Sequence, residues 1–238
     1  MKAPTTWVTC QFLRISLCVS VVATWMVIRC EATNTNTNVV TVKLPPAKKE
    51  GEISVEAALA KRRLVRNFST DRLTLAEVGQ LLWAAQGISS PDGRRTAPSA
   101  GATYPLEVYL ICGAVSNLPP GVYRYQPESH QLVRIVEGDK RKELALACFN
   151  QPWVENAPAS LVITAVYERT TKRYGERAVR YVHLEAGHAI ENAHLQAVGL
   201  GLGGVVIGAF QDEAVSKILS LGRHESPICI FTFGKPRY

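Results

Sequence analysis

The stretch from Arg177 to Leu202 limits the fold more than any other part of the chain. It reads as one long helix, because Val182, Ala186, Ala189, Ile190, Ala193, Leu195, Ala197 and Val198 recur at helical spacing. Its apolar residues fall on more than one face. Gly187, Ala189, Ala193 and Ala197 are small enough to let another element come close. A helix that is apolar all round has to be buried. The rest of the chain must therefore wrap around it, or a second copy of the chain must supply part of the cover. Periodicity alone leaves both arrangements open.

Helix and strand signals alternate around this helix. Ser54 to Ala60 is a short helix. Leu75 to Gly87 is amphipathic, with Leu75, Val78, Leu81, Leu82 and Ala85 on one face. LEVYLIC, Leu106 to Cys112, is a strand. Val122 to Tyr125 and Leu132 to Ile135 make a hairpin around PESH. Arg141 to Cys148 is a helix, Ala159 to Tyr167 a buried apolar strand, Glu213 to Leu219 a helix, and Pro227 to Phe233 the last strand. A hairpin set in this irregular order predicts an α+β fold rather than a doubly wound sheet. With 238 residues, 47% of them hydrophobic, the chain is long enough for one domain with a real core.

The N-terminal region reads separately. Residues 11–28 are mostly apolar. Arg14 interrupts them, the best run is Ile15 to Ile28, and Arg29 ends it. Residues 1–31 are expected to be a signal sequence or a membrane anchor. The run is short against the roughly 20 residues of a stable span, which favours export. The basic residues on its two sides, Lys2 and Arg14 before and Arg29, Lys43, Lys48 and Lys49 after, orient it only weakly. The expected location is exported, periplasmic or membrane-anchored, with membrane association through residues 11–28. A start at Met26 would leave a cytoplasmic protein instead. Residues 32–52, beginning ATNTNTNVVTV and passing Pro45-Pro46, read as a flexible linker, and residues 53–238 as the folded domain.

Composition removes several classes of function. The net charge is +7 and the pI about 9.2, but the basic residues are scattered, and no zinc-finger or RNA-binding pattern is present. The charge is read as serving an anionic ligand and the general surface, not nucleic acid. Cys112, Cys148 and Cys229 sit in apolar surroundings as core thiols, with no CxxC spacing. The histidines form no HExxH pair, so no metal site is expected.

Four motifs carry the chemistry. KRRLVRNF, Lys61 to Phe68, gathers guanidinium groups, whose planar donors suit a phosphate. The alternative is a solvated basic turn. RRTAPSAGATYP, Arg94 to Pro105, has small residues that let backbone approach a flat ligand, with Ser99 and Thr103 as donors. GLGLGGVVIGAF, Gly199 to Phe210, ends the long helix and starts a strand. Its Gly-x-Gly does not follow a strand into a helix, as a dinucleotide fingerprint requires. Phe233-Gly234-Lys235-Pro236-Arg237 delivers two more cations at the end of the last strand.

Together with PGVYRY (Pro120 to Tyr125) and YVHLEAGHAIENAHLQAVGLGLGG (Tyr181 to Gly204), these motifs resemble the flavin-dependent nitroreductase superfamily, and within it the SagB-type dehydrogenase or thiazoline oxidase branch. The resemblance covers Ser54 to Arg237. It implies a nitroreductase-like α+β fold: a central, mostly antiparallel sheet flanked by helices, the long helix at the centre, and a homodimer paired through that helix. It implies bound FMN, hydride transfer through the flavin, and NADH or NADPH as candidate reductants. By motif position Arg62, Arg63 and Arg66 would hold the phosphate and ribityl chain, with Lys235 and Arg237 completing the cage. Pro98, Ser99, Ala100 and Gly101 would line the ring or its tail. Gly208 and Ala209 would turn backbone N–H groups toward the flavin N5 and O4 edge.

Two positions depart from the family pattern. Leu64 stands where a serine is usual. The Lys-Tyr pair of azoline-oxidising members is matched by Arg173-Tyr174, and arginine is a poor base, which leaves Tyr174 as the candidate catalytic donor. The substrate class is a small molecule or a peptide. The competing reading is a flavin-binding or peptide-maturation partner without its own turnover. Intact Arg62, Arg63, Arg66, Lys235 and Arg237 count against it.

Overall fold

The structure is a computed structural model that describes residues 40–237. The expected leader and the first part of the linker lie outside the described residues. No helix among the described residues is long and apolar enough to cross a membrane.

Seven strands form one sheet. In chain order they are β1 (Thr41–Lys43), β2 (Leu106–Cys112), β3 (Gly121–Gln126), β4 (Gln131–Glu137), β5 (Ala159–Ala165), β6 (Gly203–Ile207) and β7 (Ser226–Gly234). Their spatial order is β1-β4-β3-β2-β5-β7-β6, and every neighbouring pair is antiparallel. The helices are α1 (Val55–Lys61), α2 (Leu75–Gln86), α3 (Arg141–Ala147), α4 (Pro152–Asn156), α5 (Glu168–Tyr174), α6 (Ala178–Gly199) and α7 (Asp212–Leu219).

The sheet is the middle of three layers. Strand side chains alternate between faces. Val108, Leu110, Leu161, Ile163, Phe231 and Phe233 therefore pack with α2 and α6. Tyr109, Ile111, Val162 and Ile230 pack on the other face with Leu144 of α3, Val154 of α4, and Val215 and Leu219 of α7. β5 is buried along its whole length because both its faces are covered. This explains why ASLVITA reads as a continuous apolar run.

Local chemistry sets the helix starts. At α2 the Thr74 hydroxyl accepts from the Glu77 amide, and the Glu77 carboxylate accepts from the Thr74 amide, a reciprocal capping box. At α1 the Ser54 side chain accepts from the Ala57 amide. The long helix turns Val182, Ala186, Ala189, Ala193 and Ala197 into the core, while Val179, Leu184 and Gly187 stay exposed.

The lead-in departs from expectation. The segment read as linker through residue 52 belongs to the domain from Thr41 onward, because β1 pairs with β4 at the sheet edge. Leu44 is buried, its amide bonds to the His130 carbonyl, and the Lys48 amide donates to Gln80 Oε1. A strand of three residues followed by Pro45-Pro46 leaves too short a pattern to read as strand, although prolines commonly mark an edge strand. His130 locks this lead-in. Its Nδ1 lies 2.8 Å from the Tyr125 hydroxyl and its Nε2 lies 2.9 Å from the Pro45 carbonyl.

Candidate functional site

The arginine run is fastened by backbone bonds to the ends of β6 and β7. The Val65 amide donates to the Gly204 carbonyl at 2.9 Å, the Ser69 amide to the Lys235 carbonyl at 2.9 Å, and the Arg237 amide to the Asn67 carbonyl at 3.0 Å. Asn67 Nδ2 returns a bond to the Arg237 carbonyl at 3.2 Å. A Cβ on Gly203 would stand 2.4 Å from Val65 Cγ2, so glycine is what lets the run lie this close. Leu64 bridges Gly204 through its backbone and leaves its side chain exposed.

The structure thus brings Arg62, Arg63 and Arg66 to the same edge as Lys235 and Arg237. Among the described residues their charges are only loosely matched. Arg62 Nε lies 3.7 Å from Glu191, and Lys235 Nζ lies 4.0 Å from Asp71, both near the outer limit of an ion pair. Arg63 donates to the carbonyls of Ala60 and Arg62, and Arg66 lies over the Trp153 ring at 5.3 Å. Cations held this way retain donors for an anion.

The Pro98–Gly101 loop is placed elsewhere along α6. Ser99 Oγ accepts from the Tyr104 amide at 2.9 Å, and Arg173 Nη1 donates to the Gly101 carbonyl at 3.2 Å. Gly101 has φ +61°, and a Cβ there would stand 2.6 Å from the Tyr174 hydroxyl oxygen. Tyr174 packs edge-on against Tyr181 at 5.0 Å. Among the described residues, no hydrogen bond or ion pair joins this loop to the arginine run. Ser99 faces Glu185 and Arg62 faces Glu191, six residues apart, which on a helix is about 9 Å. Gly208 and Ala209 follow β6 and are exposed, with nothing within 4 Å of a Cβ added at Gly208. A cavity of about 870 Å³ lies between residues 46–55, α2 and the C-terminal half of α6, and none of the expected site residues line it.

Two buried titratable groups on α6, Glu185 and His194, carry no motif that marks them in the sequence. Glu185 is 2% exposed, its Oε1 has no hydrogen-bond partner among the described residues, and burial pushes its carboxyl up to about 7. The Ser99 hydroxyl and the Arg95 charge oppose that shift. His194 is also 2% exposed and lies against Phe231; burial holds its imidazole below the ordinary histidine value. The sign available in the sequence was an acid three residues after Val182 and one before Ala186, inside the buried stripe. Cys112 and Cys148 are buried and Cys229 half-buried, all free, and burial raises each thiol, as core placement requires.

Residues 59–235 match the nitroreductase family. The chain belongs to that family. Over 184 residues, 77% of this chain and 92% of the other, it is 46% identical to MJ1384 of Methanocaldococcus jannaschii, a protein provisionally named a nitroreductase. Among solved structures, a provisionally named nitroreductase from Ralstonia eutropha JMP134 is 31% identical with a TM-score of 0.73, covering 83% of this chain and 90% of that one. The Escherichia coli microcin synthetase McbBCD complex, with truncated pro-MccB17 bound, matches at 27% identity and a TM-score of 0.67, covering 82% of this chain and 77% of that one. The nitroreductase-type fold and the SagB-type kinship expected from the motifs are both borne out, and the chain is a nitroreductase-family oxidoreductase.

Proposed function

We propose that this nitroreductase-family protein is an FMN-dependent oxidoreductase. The observation that carries this reading is the backbone pairing of the arginine run with the Lys235–Arg237 tail. It gathers five cations at one edge and leaves them, among the described residues, with no carboxylate closer than 3.7 Å. Such a donor set fits the phosphate of a flavin mononucleotide. Arg62, Arg63, Arg66, Lys235 and Arg237 would hold that phosphate. The exposed turn at Gly208 and Ala209 would give backbone N–H groups to the ring, and Pro98 to Gly101 would line it. When bound, the flavin supplies hydride transfer; the protein binds it, orients it and moves protons.

The separation of the loop from the arginine run along α6 supports a homodimer in which one chain's loop faces the other chain's arginine run. The exposed Val179 and Leu184 of α6, with Val55 and Leu59 of α1, offer the apolar cover such a pairing needs.

For the substrate, the likeness to a complex holding truncated pro-MccB17 favours a peptide over a free small molecule. Azoline oxidation through a Lys-Tyr pair is not proposed, because Arg173 stands in place of the lysine and a guanidinium keeps its proton. Anaerobic mixing of the purified protein with NADH and, separately, NADPH tests the reading. Bleaching of the flavin absorbance by either supports a dehydrogenase or reductase. No bleaching by either, with flavin bound, excludes the nicotinamide nucleotides as hydride donors.

A further inference from the structure

Three guanidinium groups from separate parts of the chain line one cavity of about 360 Å³. Arg95 comes from the segment between α2 and β2, Arg124 from β3 and Arg169 from α5. Two carboxylates among the described residues oppose them. Glu107 is the inner one: its Oε1 accepts from Arg169 Nη2 at 2.6 Å, and its Oε2 lies 2.9 Å from Arg124 Nη2. Arg169 Nη1 also donates to the Tyr104 carbonyl at 2.9 Å. These bonds serve the fold, since they hold Tyr104, whose backbone is left-handed with φ +44°. Arg95 is placed differently. Its side chain is 12% exposed, whereas its carboxylate partner, Glu128 on the turn between β3 and β4, is 69% exposed. Arg95 Nη1 donates to the Gln86 carbonyl and Nη2 to Glu128 Oε1 at 2.6 Å. Its Nε is buried and has no partner among the described residues. A buried donor left unpaired is unfavourable and rare, so its presence calls for a reason.

Nε and Nη2 form one edge of the guanidinium plane, an edge that can donate to both oxygens of a carboxylate at once. Glu128 fills that edge of Arg95 through one oxygen only. We propose that the cavity binds the carboxylate of a small acid with a flat apolar body, seated on the Nε–Nη2 edge of Arg95 in place of Glu128. The Glu128 carboxylate is then a stand-in that shows which chemistry the edge takes. An ion pair to so exposed a partner is weak, so Glu128 yields the position readily. With Glu128 turned out, three guanidinium groups face Glu107 alone, which leaves positive charge for the incoming anion. The Tyr104 ring lies 5.4 Å from the Arg95 guanidinium carbon. That stacking fixes the guanidinium plane, and Tyr104 and Leu106 give apolar wall beside the carboxylate. The cavity volume is near the lower end of the roughly 300–1,000 Å³ of small-molecule pockets, which suits a small acid rather than a nucleotide. The pocket shares no residue with the flavin site proposed above, so its occupancy is independent of that reading.

Isothermal titration calorimetry of the purified full chain with sodium benzoate tests the pocket, with benzamide, acetate and inorganic phosphate as comparisons. Benzoate should bind more tightly than acetate or phosphate, and benzamide, which lacks the charge, should not bind. Glu128→Gln removes the competing carboxylate from an exposed turn and should tighten benzoate about two- to fivefold. Arg124→Gln should weaken it about tenfold, with thermal melts checking that the variant stays folded. If Arg124→Gln unfolds, Glu128→Gln decides alone. Benzoate affinity should be the same with and without saturating FMN. No benzoate binding, or benzamide binding as tightly, overturns the proposal. So does acetate or phosphate that matches benzoate, or a benzoate affinity that Glu128→Gln leaves unchanged or lowers. Benzoate displaced by FMN would place the acid at the arginine run and overturn it as well, whereas failure of FMN to bind, with benzoate behaving as expected, would sink the flavin reading alone.

Discussion

The Val65 amide donates to the Gly204 carbonyl at 2.9 Å, and this bond sets the arginine run against the sheet. Gly204 is in turn packed tightly against β7. A Cβ on Gly204 would stand 2.5 Å from the Thr232 carbonyl oxygen and 2.6 Å from the Phe231 ring. Gly204→Ala should therefore destabilise the domain by about 1–3 kcal/mol through overpacking, and flavin content should fall with it. Thermal unfolding with and without added FMN measures both. A variant as stable as the wild type would mean that β6 and β7 yield to the added methyl.

Removing two guanidiniums should weaken the flavin more than the fold. Among the described residues, Arg62 makes a long ion pair and Arg66 stacks on Trp153. Each charge-assisted hydrogen bond to a phosphate contributes about 1.5–3 kcal/mol, so Arg62→Ala with Arg66→Ala should cost at least about tenfold in FMN affinity. Fluorescence titration reads the affinity. Unchanged binding would remove these residues from the phosphate assignment.

The exposed side of α6 predicts association. Leu184 is 54% exposed in the single chain. Leu184→Glu should place a charge in the proposed contact and shift light-scattering mass from dimer toward monomer, with loss of flavin. A wild type that is already monomeric when loaded with flavin would contradict the dimer.

The His130 clamp predicts a pH effect on stability. Burial lowers its pKa from the ordinary 6.5, so the unfolded chain binds more protons than the folded one in that range. Stability from the neutral ring is present above about pH 6.5 and is lost as pH falls through and below it. His194 acts with the same sign for the same reason. His130→Asn should flatten part of the fall in melting temperature between pH 7.5 and 5.5 and leave the His194 part. Asn also tolerates the left-handed backbone here, where φ is +46°. An undiminished fall would clear His130 of that role.

Much of the architecture was legible because apolar spacing is tied to burial. The long helix, the hairpin around PESH, the LEVYLIC strand and the capped helix after Thr74 all fell where the pattern placed them. β1 was not legible, since three residues before two prolines carry no period. α4 and α5 are too short to show one. The cationic residues of the site were visible as types, and the structure supplied what spacing cannot: the pairing of residues 65–69 with Gly204 and residues 235–237. The separation of the Ser99 loop from the arginine run was invisible in sequence, because both lie near α6 but at different turns of it. Glu185 was hidden for a related reason. A single acid within a helical repeat reads as surface until burial is known.

The most direct measurement is the identity of the chromophore. The protein should purify yellow or take up FMN from solution. Heat-released flavin should match FMN by mass and absorbance, and the Arg62→Ala, Arg66→Ala double variant should hold much less. A colourless protein that leaves added FMN free, at concentrations where the wild-type fold is intact, would contradict the account at its centre.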